Sequence, residues 1–179
     1  FVDTMHEVLP TLPAHMLLPI LSRLESWTIR SAGTVNLVSA GFLPYFRQRY
    51  PQVRYGVHTN GIDDAFILAQ PSIPGKPRQA ILRVLYAGNI GAGQGLHLIV
   101  PLLAKRLEGR VQFILIGDGG RRRQLEAALK ESGAGNVELH PPIGRQQLIE
   151  AYQAADILFV HLNDYAAFRK VLPSKIFEY

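Results

Sequence analysis

A short stretch near the middle of the chain, residues 81–96 (ILRVLYAGNIGAGQGL), constrains the fold more than any other. It begins with an apolar, β-branched and aromatic run that is typical of a buried strand. Apolar residues then recur at helical spacing over residues 96–107. Between these two patterns, four glycines fall within eight residues, at Gly88, Gly91, Gly93 and Gly95. A strand, a glycine-rich turn and a helix N-terminus can together present backbone N–H groups to a phosphate, but an ordinary tight turn explains the glycines equally well.

The glycine loop itself matches neither of two common phosphate-binding motifs. Its spacing is not that of the dinucleotide fingerprint, and no Gly-Lys-Ser/Thr follows as in a P-loop. Phosphate contact through backbone amides therefore stays open, with Asn89 and Gln94 as neutral donors beside them.

Strand-like and helix-like segments alternate on both sides of this stretch. Before it, the pattern predicts helices over residues 16–30 and through Tyr45 and Phe46, and strands over 35–39 and 53–58. After it, the pattern predicts helices over 95–107, 122–131 and 145–154, and strands over 83–87, 111–117, 137–140 and 156–160. Strands that alternate with helices of this length indicate an α/β fold with doubly wound parallel sheets.

One segment between the two halves reads as a linker. Residues 70–78 contain three prolines and a glycine, which favour an extended connection over a helix or strand. We therefore expect two lobes, residues 1–69 and 81–179, joined by a linker over 70–80.

Composition excludes several classes of protein. With 47% hydrophobic and 18% charged residues, the chain suits a globular protein rather than a disordered one. No apolar run reaches the roughly 18 residues that a membrane-spanning helix needs. The absence of cysteine excludes disulfides and thiolate metal sites and fits a reducing compartment. A net charge of +5 favours anionic partners such as nucleotides or phospholipid head groups, but no motif of a nucleic-acid-binding module is present.

The predicted strands end in residues suited to a binding rim, because ligands of parallel sheets bind beyond the carboxyl ends of the strands. The turn at Gly117-Asp118-Gly119 could let a base or ribose approach the backbone, or could be only a flexible loop. The three arginines that follow it oppose the helix dipole, so we expect a solvated basic first turn there. The segments of the predicted rim are 87–89, 117–120, 140–143 and 161–164.

The last residues of the chain look like the start of a helix, with Pro173 in its first turn and Ser174 able to cap it. Ser174 and Lys175 suit a diphosphate, because they combine a hydroxyl, a point charge and helix N–H groups. Glu178, one turn beyond Ser174, could accept hydrogen bonds from ribose hydroxyls. The alternative is a surface helix that merely begins with these residues.

At the other end of the chain, His6 follows a short apolar segment over residues 1–5 that could be a strand. His6 could contact a sugar hydroxyl or stabilise charge, or it could be an ordinary loop residue. The histidines show no metal-ligand spacing, so no metal site is predicted.

Several sequence segments occur in the order typical of one enzyme family. They are TMHEVLP, HTNGIDDAF, YAGNIGAGQGL, ILIGDGGRRRQL, QAADILFVHL and LPSKIFEY. Together they resemble group 4 of the retaining glycosyltransferases with the GT-B fold, which use nucleotide sugars. The glycine loop and the last segment are most similar to the bacterial branch that builds O-antigens, capsules and exopolysaccharides.

This resemblance implies two Rossmann-like lobes with the active site in the cleft between them. Residues 1–69 would be the second half of the N-terminal, acceptor-side lobe, and residues 81–179 would belong to the nucleotide-sugar-binding lobe. The chain would then be a fragment of a larger enzyme and inactive alone. The acceptor would be a saccharide or a lipid-linked acceptor, and the enzyme would be cytoplasmic or peripheral on the anionic inner face of the plasma membrane.

The resemblance also implies roles for individual residues. His6, Lys175 and Glu178 would be catalytic, with Lys175 on the diphosphate and Glu178 on the ribose. The donor would be a UDP- or GDP-sugar, held without a metal or another cofactor because cationic side chains and N–H groups can serve. The expected nucleotide-sugar-binding residues are Gly88, Asn89, Gly91, Gln94, Gly117, Asp118, Gly119, Pro142, Ile143, Ser174, Lys175 and Glu178.

Two differences from the family pattern keep other functions open. Asn89 and Gln94 stand where many members carry Arg and Lys, so the loop would act through its amides and Lys175 would be the main cation. Lys170 stands where the family has a sugar-contacting glutamate, eight residues before Glu178. A non-catalytic nucleotide-sugar-binding partner module is therefore an alternative, and a nucleotide-sugar epimerase on the same fold is a further one.

Overall fold

The computed structural model describes residues 14–69 and 80–179, with side chains from residue 18 onward. Its described residues form two compact units. The first unit contains those up to Gly61 together with Asp164–Phe177, and the second contains those of Ile62–Asn163 together with Glu178–Tyr179. The predicted strand over residues 1–5 and nearly all of the predicted linker over 70–80 lie outside the described residues. The domain boundaries expected from the sequence therefore stay a prediction.

The first unit is built on two parallel strands. Its elements are α1 (Ala14–Ser31), β1 (Thr34–Leu37), a 3₁₀ turn (Ala40–Phe42), α2 (Leu43–Arg49) and β2 (Arg54–Val57). The pairing of β1 with β2 runs from Thr34 opposite Arg54 to Leu37 opposite Val57. These helices and strands confirm the elements predicted before residue 58, with ends shifted by up to two residues.

Aromatic and aliphatic side chains form the core of the first unit. Its buried residues are Leu37, Phe42, Phe46, Tyr50 and Val53. Burial of a large apolar side chain contributes about 1.5–3 kcal/mol to stability. The run over residues 35–39 reads in the sequence as a buried strand, but β1 is buried on one face only, since Thr34 and Asn36 are exposed. Alternate side chains of a strand point to opposite faces, and only one face of β1 packs on this core.

The second unit contains a four-stranded parallel sheet. Its elements are α3 (Asp64–Ile67), β3 (Leu82–Ala87), α4 (Leu96–Arg106), β4 (Val111–Ile116), α5 (Arg122–Ser132), β5 (Val137–His140), α6 (Arg145–Ala154) and β6 (Ile157–Leu158). The strand order is β5-β4-β3-β6, and all neighbours are parallel. The predicted α/β fold with doubly wound parallel sheets is thus confirmed, although β6 is shorter than the strand predicted over 156–160.

Helices cover both faces of this sheet. In β3, Val84 and Tyr86 belong to a core shared with α4 and α5, whereas Leu85 and Ala87 pack with α6. Burial on both sides explains why the strand reads as a continuous apolar run in the sequence. None of the helices in the described part of the chain is long and apolar enough to span a membrane.

The strand order reverses at β3. The chain runs from β3 outward through β4 to β5 and then returns to the other side of β3 as β6. In open parallel sheets, ligands bind in the crevice beyond the carboxyl ends of the strands at such a reversal. The segments that follow β3 and β6, residues 88–95 and 159–163, border this crevice.

Candidate functional site

The first glycine loop, residues 88–95, continues directly from β3. Gly88 has a φ of +141°, a conformation that glycine adopts without strain. Its amide still belongs to the sheet, since it donates to the Ile116 carbonyl at 2.8 Å. The hydroxyl of Tyr86, a residue of β3, donates to the Asn89 carbonyl at 2.6 Å and so fixes the start of the loop.

The Gln94 side chain closes the first loop on itself. Its Oε1 accepts hydrogen bonds from Asn89 Nδ2 at 3.0 Å and from the Gly91 amide at 3.2 Å. Two of the groups expected to donate to a phosphate are therefore engaged within the loop. An anion that binds the Gly91 amide must displace the Gln94 oxygen.

Two residues that follow β6, His161 and Asn163, hydrogen-bond to the first loop. Asn163 donates from its backbone N–H to the Gly93 carbonyl at 2.8 Å and from Nδ2 to the Ala92 carbonyl. The His161 Nδ1 lies 2.7 Å from the Gln94 carbonyl, and because a carbonyl only accepts, Nδ1 carries the proton. Sequence reasoning placed this segment on the rim but missed both residues, since nothing local marks them as partners of the loop.

The second glycine turn, after β4, lies against the first loop. A Cβ added to Gly117 would overlap the Gly88 carbonyl oxygen, so the backbones are in close contact here. The Asp118 carbonyl accepts from the Ile90 amide at 2.8 Å. The Asp118 carboxylate accepts from the Gly119 amide at 2.7 Å, so that a side-chain oxygen again covers a glycine N–H.

Arg122 corrects the prediction of a solvated basic turn. Its guanidinium donates to the Gly117 carbonyl, to the His140 carbonyl at 3.1 Å and to Glu126 at 3.1 Å, and its side chain is only 22% exposed. The carbonyls of Gly117 and His140 come from the ends of two neighbouring strands. Arg122 is therefore drawn inward by acceptors that its own helix does not contain.

The segment after β5 contributes one packed and one exposed residue to this edge. Pro142 is exposed, whereas Ile143 packs against the core that α6 forms with the sheet. Nine predicted binding residues thus lie at the carboxyl edge of one sheet. They are Gly88, Asn89, Gly91, Gln94, Gly117, Asp118, Gly119, Pro142 and Ile143.

Glu178 also belongs to the second unit, where Tyr152 orients it. The Tyr152 hydroxyl donates to Glu178 Oε2 at 3.3 Å, and the Tyr179 ring meets the Tyr152 ring edge-on at 5.2 Å between centroids. Burial raises the pKa of Tyr152, and the neighbouring Tyr179 and Glu178 raise it further. The Tyr152 hydroxyl therefore stays a donor to the carboxylate at neutral pH. Sequence reasoning missed Tyr152, which reads only as an apolar position of α6.

The remaining predicted residues are placed elsewhere. Ser174 and Lys175 belong to the first unit, where a short helix, α7 (Lys175–Glu178), begins. His6 lies outside the described residues. The Lys170 ammonium lies 5.8 Å from the centre of the Tyr45 ring, within the first unit, in a cation–π contact. Among residues 14–69 and 80–179, no three His, Asp or Glu side chains cluster as a metal site requires.

Comparison with known proteins finds glycosyltransferases in both sequence and structure. No protein-family profile matches the chain. WcaI of Escherichia coli (strain K12), named as a colanic acid biosynthesis glycosyl transferase, is 29% identical over 93 residues, which cover 52% of this chain and 23% of that protein. D-inositol 3-phosphate glycosyltransferase of Xylanimonas cellulosilytica is 32% identical over 82 residues, which cover 43% of this chain and 19% of that protein. The match thus spans less than a quarter of either curated relative.

Solved structures of glycosyltransferases share the fold at low sequence identity. The lipopolysaccharide outer core galactosyltransferase WaaB superposes with a TM-score of 0.54 and 19% identity over 72% of this chain and 36% of its own. TarM of S. aureus, solved with UDP, superposes with a TM-score of 0.60 and 10% identity over 76% of this chain and 27% of its own. The chain therefore has the fold of the GT-B glycosyltransferases that the sequence resemblance predicts.

Proposed function

We propose that this chain is part of a retaining glycosyltransferase that moves a sugar from a nucleotide-diphosphate sugar to a saccharide or lipid-linked acceptor in the synthesis of cell-surface polysaccharide. One observation carries the proposal. Two glycine loops meet beyond the carboxyl ends of β3 and β4, next to the strand-order reversal at β3. Their backbones can approach each other because Gly117 has no side chain. Such a crevice suits a ligand with phosphates and a flat base. The likeness to glycosyltransferases, one of them solved with UDP, supports the same ligand class.

The parts of the donor would divide among the segments of the rim. The diphosphate would lie at the first loop and the N-terminus of α4, near Asn89 and Gln94, where N–H groups favour an anion. The base would lie between the Gly117–Gly119 turn and the Pro142-Ile143 edge. Glu178, oriented by Tyr152, would accept from the ribose hydroxyls.

Catalysis would rest on positioning and on stabilisation of the leaving diphosphate. Lys175 would supply the positive charge that the first loop lacks, and Ser174 a hydroxyl beside it. His6 would face the transferred sugar. These roles for Ser174, Lys175 and His6 follow from the sequence resemblance alone, and no metal ion would be required.

Calorimetric titration with UDP and GDP, without divalent ions, tests the binding half of the proposal. The wild-type chain should bind one of them, and Lys175→Ala should weaken that binding about tenfold, as expected for the loss of a charged contact to phosphate. Lys130→Ala, which removes an exposed lysine from the distal end of α5, is the matched control. Equal affinities of the wild type and Lys175→Ala would contradict the phosphate role of Lys175.

Two other functions predict different products from the same donor. A non-catalytic partner module would bind the nucleotide but release no nucleotide diphosphate when donor and acceptor are both supplied to the whole protein. An epimerase would interconvert the donor sugar with no acceptor present. Product analysis by NMR with and without acceptor separates the three functions.

The sequence resemblance also implies a place at the anionic inner face of the plasma membrane. Sedimentation with anionic vesicles tests that location.

A further inference from the structure

We propose that Asn163 and His161 are positioning residues that turn the peptide groups of the first glycine loop so that their N–H groups face the diphosphate. This inference rests on the proposed function, because it concerns how the proposed phosphate site is built. The two residues lie about 70 positions from the loop in sequence and reach it through three consecutive carbonyls. These carbonyls are those of Ala92, Gly93 and Gln94.

The geometry of the peptide bond gives these contacts their consequence. In a trans peptide, the C=O and the following N–H point in opposite directions. Asn163 binds the Ala92 and Gly93 carbonyls, so the N–H groups of Gly93 and Gln94 point away from Asn163. Neither N–H donates to another residue in the described part of the chain. Two consecutive N–H groups on the same side of a loop form the concave donor pair that binds anions.

His161 and Gly95 complete the arrangement. His161 holds the Gln94 carbonyl at 2.7 Å, and its ring stacks on Phe159 at 6.3 Å between centroids, which fixes the direction of its Nδ1. Gly95 has a φ of +59°, and a Cβ added there would overlap the Asn163 side chain. The loop therefore ends in the one residue type that leaves room for Asn163. The main alternative is that Asn163 and His161 only stabilise the fold.

The second unit offers a matched control for that alternative. Asn136 Nδ2 donates to backbone carbonyls, as Asn163 Nδ2 does, and its two acceptors are Ala104 at 3.0 Å and Val111 at 2.9 Å. It is 7% exposed, and Val111 begins β4 at the amino edge of the sheet, away from the glycine loops. Asn136→Ser removes at least as much side-chain hydrogen bonding as Asn163→Ser does, without touching the proposed phosphate site.

The test compares ligands with and without phosphate. Affinities of UDP, GDP, uridine and guanosine are measured by NMR titration for wild type, Asn163→Ser and Asn136→Ser. Asn163→Ser removes the side-chain hydrogen bond that orients the Gly93 N–H, while the backbone N–H of residue 163 still donates to the Gly93 carbonyl. We expect this variant to bind the nucleotide about tenfold more weakly and to leave the nucleoside affinity unchanged. Asn136→Ser should lower the unfolding midpoint and change neither affinity.

Each other outcome is decisive. An unchanged nucleotide affinity, or an equal loss for nucleotide and nucleoside, overturns the positioning role while the proposed function stands. A wild type that binds neither UDP nor GDP overturns the proposed function and the inference with it. If Asn163→Ser does not fold, His161→Phe takes its place, because it keeps the stacked ring and removes the donor to the Gln94 carbonyl. It should lower the affinity for the nucleotide but not the affinity for the nucleoside.

Discussion

The two glycine loops of the second unit follow neighbouring strands in the same way but are covered by different oxygens. In each loop a side chain accepts from a glycine amide, Gln94 Oε1 from Gly91 and Asp118 Oδ1 from Gly119. The first acceptor is a neutral amide, and the second is a carboxylate. An anionic oxygen can replace the first without repulsion, whereas a carboxylate beside the second repels it. The difference favours the first loop for phosphate and the second for uncharged parts of the nucleotide.

The loops also differ in what anchors them. The uncharged amide of Asn163 hydrogen-bonds to the first loop, whereas the guanidinium of Arg122 hydrogen-bonds to the second. Hydrogen bonds from a charged donor are the stronger kind. We therefore expect substitutions in the second loop to act mainly on stability, and substitutions in the first loop to act mainly on ligand affinity.

Gly117→Ala should give the largest effect. Its φ of +148° favours glycine, and the added Cβ would overlap the Gly88 carbonyl oxygen, so one of the two strand ends must shift. We expect a loss of about 3 kcal/mol in the free energy of unfolding, measured by urea titration. Gly120→Ala is the control in the same turn, because an added Cβ there meets nothing within 4 Å. Equal losses for both variants would show that the close contact between the loops does not matter.

Arg122→Ala should give the next largest effect. It removes the donor to the Gly117 and His140 carbonyls, and we expect a loss of about 1–2 kcal/mol in the free energy of unfolding. Arg123→Ala, one residue further on and exposed, should change the same quantity by less than about 0.5 kcal/mol. If the two variants unfold at the same urea concentration, Arg122 is the solvated residue that the sequence suggested.

Charge substitutions at Gln94 test whether the first loop binds the diphosphate. Gln94→Lys should tighten UDP or GDP binding about fivefold and Gln94→Glu should weaken it about fivefold, since one adds a positive and the other a negative charge beside the diphosphate. Both shifts should shrink as salt is raised, because screening weakens partly exposed charges. Gln112→Lys adds the same charge in the amino-terminal half of β4 and should leave the affinity unchanged. Equal nucleotide affinities of Gln94→Lys and Gln94→Glu would show that the diphosphate does not bind at the first loop.

Patterns local in sequence predicted most of the fold, because a strand buried on both faces and the helix after it each leave a periodic trace within a few residues. The site was predictable only in part. The glycines in the sequence predict the two loops. Asn163 and His161, however, bind carbonyls about 70 residues away, and no local sequence pattern marks such contacts. Arg122 was assigned to solvent because its own helix repels it, whereas the acceptors that hold it end two other strands. Lys170 likewise lies over Tyr45, 125 positions earlier in the chain.

A change at His97, in the first turn of α4, should give the smallest effect on the free energy of unfolding. Burial lowers the pKa of His97, and the positive charge of Arg121 at the end of the second loop lowers it further. Its Nδ1 is buried without a hydrogen-bond partner among the described residues, so the neutral ring is the form that fits. Because the folded-state pKa is below the unfolded value of about 6.5, the stabilisation is present above that pH and is lost as the pH falls through the folded pKa. The urea midpoint should therefore decrease below pH 6.5, and this decrease should be smaller in His97→Gln and in Arg121→Gln. If both variants show the same decrease as the wild type, other titrating groups cause it.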